Sequence, residues 1–542
     1  MKRASTDVTW MIAAFITGLL IRLLVVSFGG AVSHDAAAFY LPNARALVEG
    51  GLGNWDGMTV EVPLGFPTLV AIFSWLVPDR DLELSALLLS AIGGAAILFP
   101  VYGLARAFFP GETLVHRFAL WVAALQPFSV RFGGDAKADS LYAFFFACAL
   151  WAGVQILKRP RAKLGALFGV FLGIAYLFRE EVLGLAILLA LGVSWMAWRR
   201  WRRGEALRSY CLGVSGAGAL AILMLLPALI WYASFVHHRV GVWTIGAKAG
   251  VLQDFGKIGR GDVFNTLNES KTMTLKEEKL GSAEGYQSFN PVKLFIESPA
   301  EMTLSFLYNL QQFLRHFPAV LGMLSIFFVL GLFVHRQEFA ARGGWVLIAV
   351  YVFYAMMYSL FYTSRRFWLP LLPLALPWCA AGAAFSTTQL ARRWRVTPAW
   401  VIVGIALLTL PQGLARIAWT PAGPRSSAER ILGERLAEKY GTGQVYVSAK
   451  GKVAWYAEGS QVSLPTAPLA DVATFMSLRN ARFLVVERER IARRYPELWQ
   501  ELKVSPLFRE IDREVHRNVD LRAYELLPPN QPGKTSTKES GG

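Results

Sequence analysis

The feature that most constrains this chain is a series of apolar segments, each close to 20 residues long. A helix needs about 20 apolar residues to cross a bilayer core about 30 Å thick. Of the 542 residues, 54% are hydrophobic and only 17% are charged, whereas soluble domains have about 25% charged residues. This composition excludes an ordinary soluble enzyme and predicts a multi-pass membrane protein.

We predict about 11 transmembrane helices from these segments, since each is apolar and close to the required length. They are 8–28, 84–108, 118–131, 139–157, 164–178, 182–198, 209–235, 317–334, 344–362, 367–386 and 398–419. A signal peptide is the alternative for the first segment, because Ala31-Val32-Ser33 resembles a cleavage site. Its length, Arg22 within it and the later spans favour a retained helix. Two shorter stretches, 64–78 and 302–315, are predicted to lie at the membrane interface.

Clusters of Lys and Arg predict the orientation of these spans. Cytoplasmic loops collect basic residues, and one model puts Lys2, Arg3 and all the basic loops on that side: 158–163, 199–203, 392–395 and, more weakly, 335–342. The N-terminus is then cytoplasmic and the C-terminus extracytoplasmic. The same loops carry much of the net charge of +17, which argues against a nucleic-acid partner.

The three cysteines lie in apolar segments and predict neither a disulfide framework nor a thiolate metal site.

The predicted domains follow from this topology. Residues 1–424 form the transmembrane domain, with extracytoplasmic loops at 29–83 and 236–316. Residues 425–528 are predicted to form a small soluble α/β domain, and the polar residues 529–542 a disordered tail. Within the soluble domain we predict helices over 427–440, ending at Gly441, and near 470–478. Strands are predicted at 445–447 and 483–486.

Four polar clusters fall on the predicted outer side of the membrane. They contain Asp35, then Asp135 with Asp139, then Arg179-Glu180-Glu181, and finally Arg365-Arg366. Each cluster also has a structural explanation: Asp35 and Asp139 suit helix N-termini, Arg179 could pair with its neighbouring glutamates, and the arginine pair could anchor lipid headgroups. Charges at a membrane boundary often mark a functional site, and guanidinium groups suit phosphate. Together the clusters predict an enzyme that acts on a lipid-linked substrate at the outer surface.

The order of these motifs resembles the GT-C superfamily of membrane glycosyltransferases. Within it, the chain is most similar to bacterial protein O-mannosyltransferase-like and lipid A aminoarabinose-transferase-like members. The resemblance rests on these segments: Ser33-His34-Asp35-Ala36-Ala37-Ala38-Phe39-Tyr40, Val62-Pro63-Leu64-Gly65-Phe66-Pro67, Ala138-Asp139-Ser140-Leu141, Leu177-Phe178-Arg179-Glu180-Glu181, Arg366-Phe367-Trp368-Leu369-Pro370 and Gly451-Lys452-Val453-Ala454-Trp455-Tyr456-Ala457.

The resemblance implies a GT-C-like helical fold and transfer of a sugar from a polyprenyl-phosphate donor to an acceptor protein, lipid or glycan, with inversion. Asp35 would be the general base, Asp139 would orient the acceptor or support Asp35, and phosphate-binding residues would be Arg179, Arg365 and Arg366. Candidate supporting residues are His34, Tyr40, Asp135 and Glu180. We expect the catalytic and phosphate-binding side chains to line one outward cavity.

The resemblance leaves metal dependence open. Many members have a second acidic residue directly after the first-loop Asp, and here that position is Ala36. We therefore assign no metal, and a divalent ion is without support from the sequence. The expected location is a bacterial inner membrane, with membrane lipids as further partners. Two alternatives are a transporter or lipid flippase, which predicts inverted repeats and mid-membrane ionisable residues, and a non-enzymatic envelope assembly factor that binds through its soluble tail.

Overall fold

A computed structural model of the protein divides the chain into two units. It describes residues 2–27, 32–60, 62–246, 296, 299–360, 363–394, 397, 400, 403–404, 407, 424–464, 468–494, 496–516 and 519–527. The first unit contains the described residues of 2–27, 43–246 and 296–407. The second unit contains those of 32–42 and 424–527. The segment that carries Asp35 therefore belongs with the C-terminal residues.

The chain before residue 395 is helical throughout most of its described length. Its helices are α1 (Lys2–Ser27), α2 (Leu41–Gly50), α3 (Gly65–Ser74), α4 (Leu82–Ala96), α5 (Leu98–Phe108), α6 (Thr113–Leu125), α7 (Pro127–Gly133), α8 (Asp139–Lys158), α9 (Ala162–Tyr176), α10 (Gly184–Arg202), α11 (Leu207–Val240), α12 (Pro299–Leu321), α13 (Leu324–Val334), α14 (Gly344–Ser359) and α15 (Leu372–Trp394). A π-helical turn precedes α2, and short 3₁₀-helical turns precede α4, α10 and α15.

Several of these helices are long and apolar enough to cross a membrane. In the described residues, the segments that meet this condition are Asp7–Ser27, Leu82–Phe108, Asp139–Lys158, Glu180–Arg202 and Leu207–Val240. Shorter apolar helices, such as Ala162–Tyr176 and Gly344–Ser359, stand beside them in the sequence. Each predicted span up to residue 386 overlaps one or more helices in its described residues. Most of the predicted span 398–419 lies outside the described residues.

Two predicted boundaries differ from the structure. The predicted span 118–131 is divided between α6 and α7, because Pro127 begins a new helix after the extended residue Gln126. The predicted span 317–334 is broken by a bend of 100° between α12 and α13. Gly322 stands at this bend with φ of +60°, a backbone conformation that glycine tolerates readily. The stretch 302–315, predicted as a short interfacial segment, is part of the longer helix α12.

The second unit is built on a five-stranded mixed sheet in the order β2-β1-β3-β5-β4. The strands are β1 (Val445–Ser448), β2 (Ser460–Ser463), β3 (Phe483–Glu487), β4 (Phe508–His516) and β5 (Val519–Leu526). Strand β1 pairs in parallel with β2 and β3, whereas β5 is antiparallel to β3 and β4. Its helices are α16 (Pro424–Tyr440), α17 (Lys452–Tyr456), α18 (Leu469–Leu478), α19 (Arg488–Arg494) and α20 (Pro496–Val504).

Strands β1 and β3 are buried on both faces, as parallel strands with helical crossovers require. One apolar cluster contains Val447, Leu484 and Met476, and a second contains Tyr446, Phe483 and Leu432. Neighbouring residues along β1 and β3 thus point to opposite faces, which explains their continuous apolar sequence. The predicted α/β class of this region is confirmed, and helix α16 ends before Gly441, which has φ of +78°.

Candidate active site

The first unit contains a buried ion triad at one end of α8. The guanidinium of Arg179 donates from Nη1 to Oδ1 of Asp139 at 2.8 Å and from Nε to Oε1 of Glu181 at 2.5 Å. Asp139 is the first residue of α8, and Arg179 is the extended residue between α9 and the helical turn Glu180–Leu183. Asp139 and Arg179 are both buried. The triad therefore joins two of the predicted clusters in one network.

Aromatic residues enclose the triad. The guanidinium carbon of Arg179 lies 5.4 Å from the centre of the Tyr142 ring and 5.0 Å from that of Phe367. The Tyr354 hydroxyl donates to the backbone carbonyl of Glu181 at 3.1 Å, which fixes the position of that residue. Because the surroundings are apolar, water screens these charges weakly, and the electrostatic attraction that fixes the positions of the three side chains is strong.

The motif that closes the first loop packs against this hairpin. The backbone N–H of Gly65, the first residue of α3, donates to the carbonyl oxygen of Leu177 at 2.7 Å. A Cβ atom at position 65 would lie 2.6 Å from that same oxygen, so only glycine fits without a backbone shift. The motif Val62–Pro67 thus supports the position of Arg179, two residues after Leu177.

The arginine motif Arg366–Pro370, from a later part of the chain, contacts the triad through Phe367. Residues Arg365–Trp368 form a single helical turn in which Phe367 and Trp368 are buried, while Arg365 is exposed and Arg366 half-buried. The Trp368 indole donates to the carbonyl of Phe313 at 2.9 Å and anchors the turn on α12. The guanidinium carbon of Arg366 lies 5.7 Å from the centre of the Phe367 ring that also contacts Arg179.

A further arginine, absent from the sequence predictions, belongs to this group. Arg131, in the last turn of α7, interacts electrostatically with Asp135 and with Arg365. Arg365 also interacts electrostatically with His316. Asp135 forms an ion pair with Lys137 at 3.0 Å. Arg131 is the last residue of the predicted span 118–131 and was therefore not predicted as a site residue. Its position on the same predicted outer side as Asp135 was the available signal.

Glu180 lies next to the triad in sequence but bonds elsewhere. Its carboxylate accepts a short hydrogen bond from the hydroxyl of Tyr232, on α11. Tyr232 in turn packs edge-on against Tyr176 at the end of α9. Glu180 therefore links α9 to α11, a structural role that the sequence left open beside a functional one.

Asp35 lies in the second unit, directly before a π-helical turn over Ala36–Tyr40. Its side chain does not form the helix cap that the sequence allows. Instead, the N–H of Ala36 donates to the hydroxyl oxygen of Ser33 at 3.3 Å. The carboxylate of Asp35 is therefore not used for capping. Tyr40, the last residue of the turn, is buried, and such turns occur often at functional sites.

The Asp35 segment is attached to the C-terminal sheet domain by two hydrogen bonds. The backbone N–H of Gly451 donates to Nδ1 of His34 at 3.1 Å, and the N–H of Val32 donates to the Tyr456 hydroxyl at 2.9 Å. A Cβ atom on Gly451 would lie 3.0 Å from Cα of Ala38. Burial lowers the pKa of His34, which keeps Nδ1 unprotonated and able to accept. Two separate resemblance motifs, 33–40 and 451–457, thus meet in space.

Of the predicted residues of the first unit, the structure therefore joins Asp139, Arg179 and Arg366, the last through the ring of Phe367. Asp135 pairs with Lys137, and Arg365 precedes Arg366 on the same helical turn. Asp35, His34 and Tyr40 form a separate group in the second unit. Among the described residues, no group of three or more His, Cys, Asp or Glu side chains has an arrangement that could hold a metal ion.

Residues 61–231 match a family model described as dolichyl-phosphate-mannose-protein mannosyltransferase. A search of curated protein sequences found no significant match.

Solved structures with the same fold include two kinds of glycosyltransferase. The oligosaccharyltransferase of Archaeoglobus fulgidus, in complex with Zn and sulfate, aligns with a TM-score of 0.59 at 12% identity over 89% of this chain and 68% of that one. ArnT from Cupriavidus metallidurans, bound to undecaprenyl phosphate, aligns with a TM-score of 0.54 at 12% identity over 95% and 98%. A structure of the A. fulgidus enzyme AglB with an inhibitory peptide and a dolichol-phosphate aligns with a TM-score of 0.55 at 13% identity over 90% and 70%.

These comparisons confirm the predicted resemblance to GT-C membrane glycosyltransferases and the predicted fold, a polytopic helical membrane protein with a C-terminal α/β region. The family model, which covers residues 61–231, agrees with the predicted enzyme class, glycosyltransferases that depend on polyprenyl-phosphate sugars.

Proposed function

We propose that the chain, which resembles GT-C membrane glycosyltransferases, moves one sugar from a polyprenyl-phosphate donor to an acceptor at the extracytoplasmic face of a bacterial inner membrane. The acceptor is a protein, a lipid or a glycan. In the proposed topology the N-terminus is cytoplasmic, and residues 425–528 form a soluble domain on the outer side, followed by a disordered tail over 529–542. ArnT was solved with undecaprenyl phosphate and AglB with a dolichol-phosphate, and these lipids motivate the choice of donor.

The proposed reaction is a single displacement at the anomeric carbon. An acceptor hydroxyl attacks this carbon while Asp35 takes up the hydroxyl proton, and the bond between the carbon and the phosphate oxygen breaks. The polyprenyl phosphate leaves with the bonding electrons, and the anomeric configuration inverts. A positioned general base contributes about 10²–10⁴-fold to such a step. The position of Asp35 directly before a π-helical turn supports this assignment, since such turns occur often at functional sites.

The proposed phosphate-binding residues are Arg365 and Arg366, together with Arg131. As the donor bond breaks, negative charge grows on the phosphate, and preorganised cations stabilise it. A phosphate-binding role for Arg179 stays a prediction, because two of its nitrogen atoms already bind Asp139 and Glu181. We assign the triad chiefly to holding the surface on which Arg366 rests, through their shared ring, Phe367.

One observation carries this proposal above the others. Arg365 and Arg366 are adjacent cations on one helical turn, and Arg365 also interacts electrostatically with Arg131, so these like charges oppose one another. A cluster of this kind gains stability when it binds an anion, and two oxygen atoms of a tetrahedral phosphate can accept the two parallel hydrogen bonds that a guanidinium donates. A donor phosphate is an anion of this kind.

The experiment that tests the function uses the purified full chain in liposomes. Polyprenyl-phosphate donors that carry a radiolabelled hexose or pentose are offered with a membrane extract as the source of acceptor. We expect label transfer by the wild type and a loss of about 10²-fold or more for Asp35→Asn, because the amide cannot take up a proton.

The matched control is Asp79→Asn, which makes the same change at an exposed residue of the first loop. We expect this variant to transfer sugar at the wild-type rate. Transfer by Asp35→Asn at a near-normal rate would remove the catalytic assignment. Failure of the wild type to transfer label from every donor, with the protein folded in the liposomes, would contradict the glycosyltransferase function itself.

A further inference from the structure

A large groove opens at the other end of α8, away from the candidate active site. It lies between α5, α8 and the start of α9, and its volume is about 880 Å³, within the range of about 300–1,000 Å³ that is typical of ligand sites. We name it the basic groove. Its apolar floor includes Phe144, Cys148, Trp151 and Phe171, and its rim carries Arg106, Lys158, Arg159, Arg161 and Lys163.

The groove is separate from the donor site. Asp139 begins α8 and Lys158 ends it, 20 residues later. A helix of this length extends about 30 Å, the thickness of a bilayer core. The active-site triad and the basic rim therefore lie at opposite ends of one membrane-length helix. The positive-inside tendency predicts that the rim faces the cytoplasm.

Among the residues that the structure describes, none neutralises the cations of the rim. All five side chains are exposed, and no acidic residue is found among the described residues that line the groove. Within the described part of the chain, none of the five has a carboxylate partner at ion-pair distance. The ammonium of Lys158 donates to the carbonyl of Ala107, which holds one charge at the edge of the groove.

A second basic loop shows that this arrangement is not a general result of the positive-inside tendency. At the end of α10, Arg200 in the last turn and Arg203 directly after it both form ion pairs with Glu205, at 3.3 Å and 3.7 Å. Arg202, the last residue of α10, stacks on Trp198. The loop thus satisfies part of its charge internally, whereas the rim of the basic groove combines unneutralised charge with a deep apolar floor.

We propose that the basic groove binds a two-tailed anionic phospholipid of the cytoplasmic leaflet. The headgroup phosphate would contact Arg161 and Lys163 at the rim, and an acyl chain would lie along the aromatic floor. Basic pockets between transmembrane helices on the cytoplasmic side suit such headgroups, and guanidinium forks bind phosphate in a bidentate manner. Charge complementarity selects the headgroup, and the apolar floor selects a lipid over a soluble phosphate.

The test is native mass spectrometry of the purified full chain with added phosphatidylglycerol or phosphatidylcholine at equal concentrations. We expect phosphatidylglycerol to bind at least tenfold more tightly, since each rim cation near the headgroup contributes about 1 kcal/mol. The double variant Arg161→Gln/Lys163→Gln should lose roughly tenfold or more of the phosphatidylglycerol affinity. Its matched control is Arg199→Gln/Arg202→Gln, which removes the same charge from the neighbouring basic loop and should keep the affinity.

Four outcomes would overturn the proposal. Equal binding of the two phospholipids would remove the headgroup selectivity, and equal losses in both double variants would reduce the effect to net charge. Displacement of the lipid by equimolar glycerol phosphate would make the site an anion site that does not use its floor. Tighter binding of undecaprenyl phosphate than of phosphatidylglycerol, sensitive to Arg161→Gln/Lys163→Gln, would assign the groove to the donor lipid. Melting temperatures of both double variants check that they are folded.

Discussion

The two ends of α8 carry charge in opposite ways. At its start, Arg179 is buried between the carboxylates of Asp139 and Glu181. At its end, Lys158 is one of five exposed cations that have no acidic neighbour among the described lining residues of the basic groove. Buried charges require partners within the protein, whereas exposed cations above an apolar floor can take an anion from the membrane. The same helix thus connects a buried centre, whose charges are paired within the protein, with an exposed basic groove that we propose binds a ligand.

The largest effect that separates these two ends is expected from Arg179→Met. The variant leaves two buried carboxylates unpaired, and breaking such a pair costs about 3–5 kcal/mol of folding free energy. We expect a strong fall in melting temperature, partly restored by adding Asp139→Asn, which removes one of the unpaired charges. Arg106→Met, at the rim of the basic groove, should leave the melting temperature almost unchanged. Similar losses for the two methionine variants would break the comparison.

A second test asks whether the arginine turn beside the triad binds donor rather than supporting the fold. Each charge-assisted hydrogen bond contributes about 1.5–3 kcal/mol, so Arg366→Gln should lower kcat/KM for the polyprenyl-phosphate sugar by about 10–100-fold. Arg365→Gln should act in the same direction, and neither should change the melting temperature as Arg179→Met does. Arg80→Gln, an exposed change in the first loop, serves as the control. An unchanged KM and kcat in Arg366→Gln would contradict the assignment.

The smallest expected effect concerns the Asp35 segment, whose position depends on close packing rather than on charge. Gly451→Ala places a Cβ 3.0 Å from Cα and Cβ of Ala38, and the neighbouring backbone must shift by a few tenths of an ångström. Because small displacements of a general base slow proton transfer, we expect kcat to fall by about tenfold with little change in donor KM. Gly53→Ala adds the same methyl group where nothing lies within 4 Å and should be silent. Wild-type kcat in Gly451→Ala would show that this contact does not position Asp35.

Much of the membrane fold could be predicted from the sequence because hydropathy and basic loops report directly on a bilayer. The bend at Gly322 could not, since residues on both sides of it are apolar and the predicted span ran through it. In the second unit, the apolar strands β1 and β3 were predicted. Strand β4 was not, because its sequence Phe508–His516 is rich in charge.

Cross-strand ion pairs replace an apolar face on this strand. Arg513 bonds Asp520 at 2.9 Å, and Arg522 bonds Glu510 at 3.1 Å, pairs that stabilise neighbouring strands. These contacts depend on the register of β4 and β5, which single-strand patterns do not reveal.

The candidate site was predicted in its residue types but not in its connections. Motif resemblance indicated Asp139, Arg179 and Arg366, while the sequence could not show that Asp139 and Arg179 are bonded across 40 positions. Arg131 was missed because Arg365, with which it interacts electrostatically, lies far away in the chain. For Asp35, the sequence left helix capping and catalysis as alternatives. The structure assigns the cap to Ser33, and catalysis by Asp35 stays a prediction.

The most direct test of the central claim is an experimental structure of the full chain in nanodiscs of anionic phospholipid, with undecaprenyl phosphate added. The account predicts the polyprenyl phosphate with its phosphate oxygens about 2.7–2.9 Å from the guanidinium nitrogens of Arg365 or Arg366, and a two-tailed lipid in the basic groove. A polyprenyl phosphate whose phosphate lies on Arg161 and Lys163, with none near Arg365 and Arg366, would contradict it.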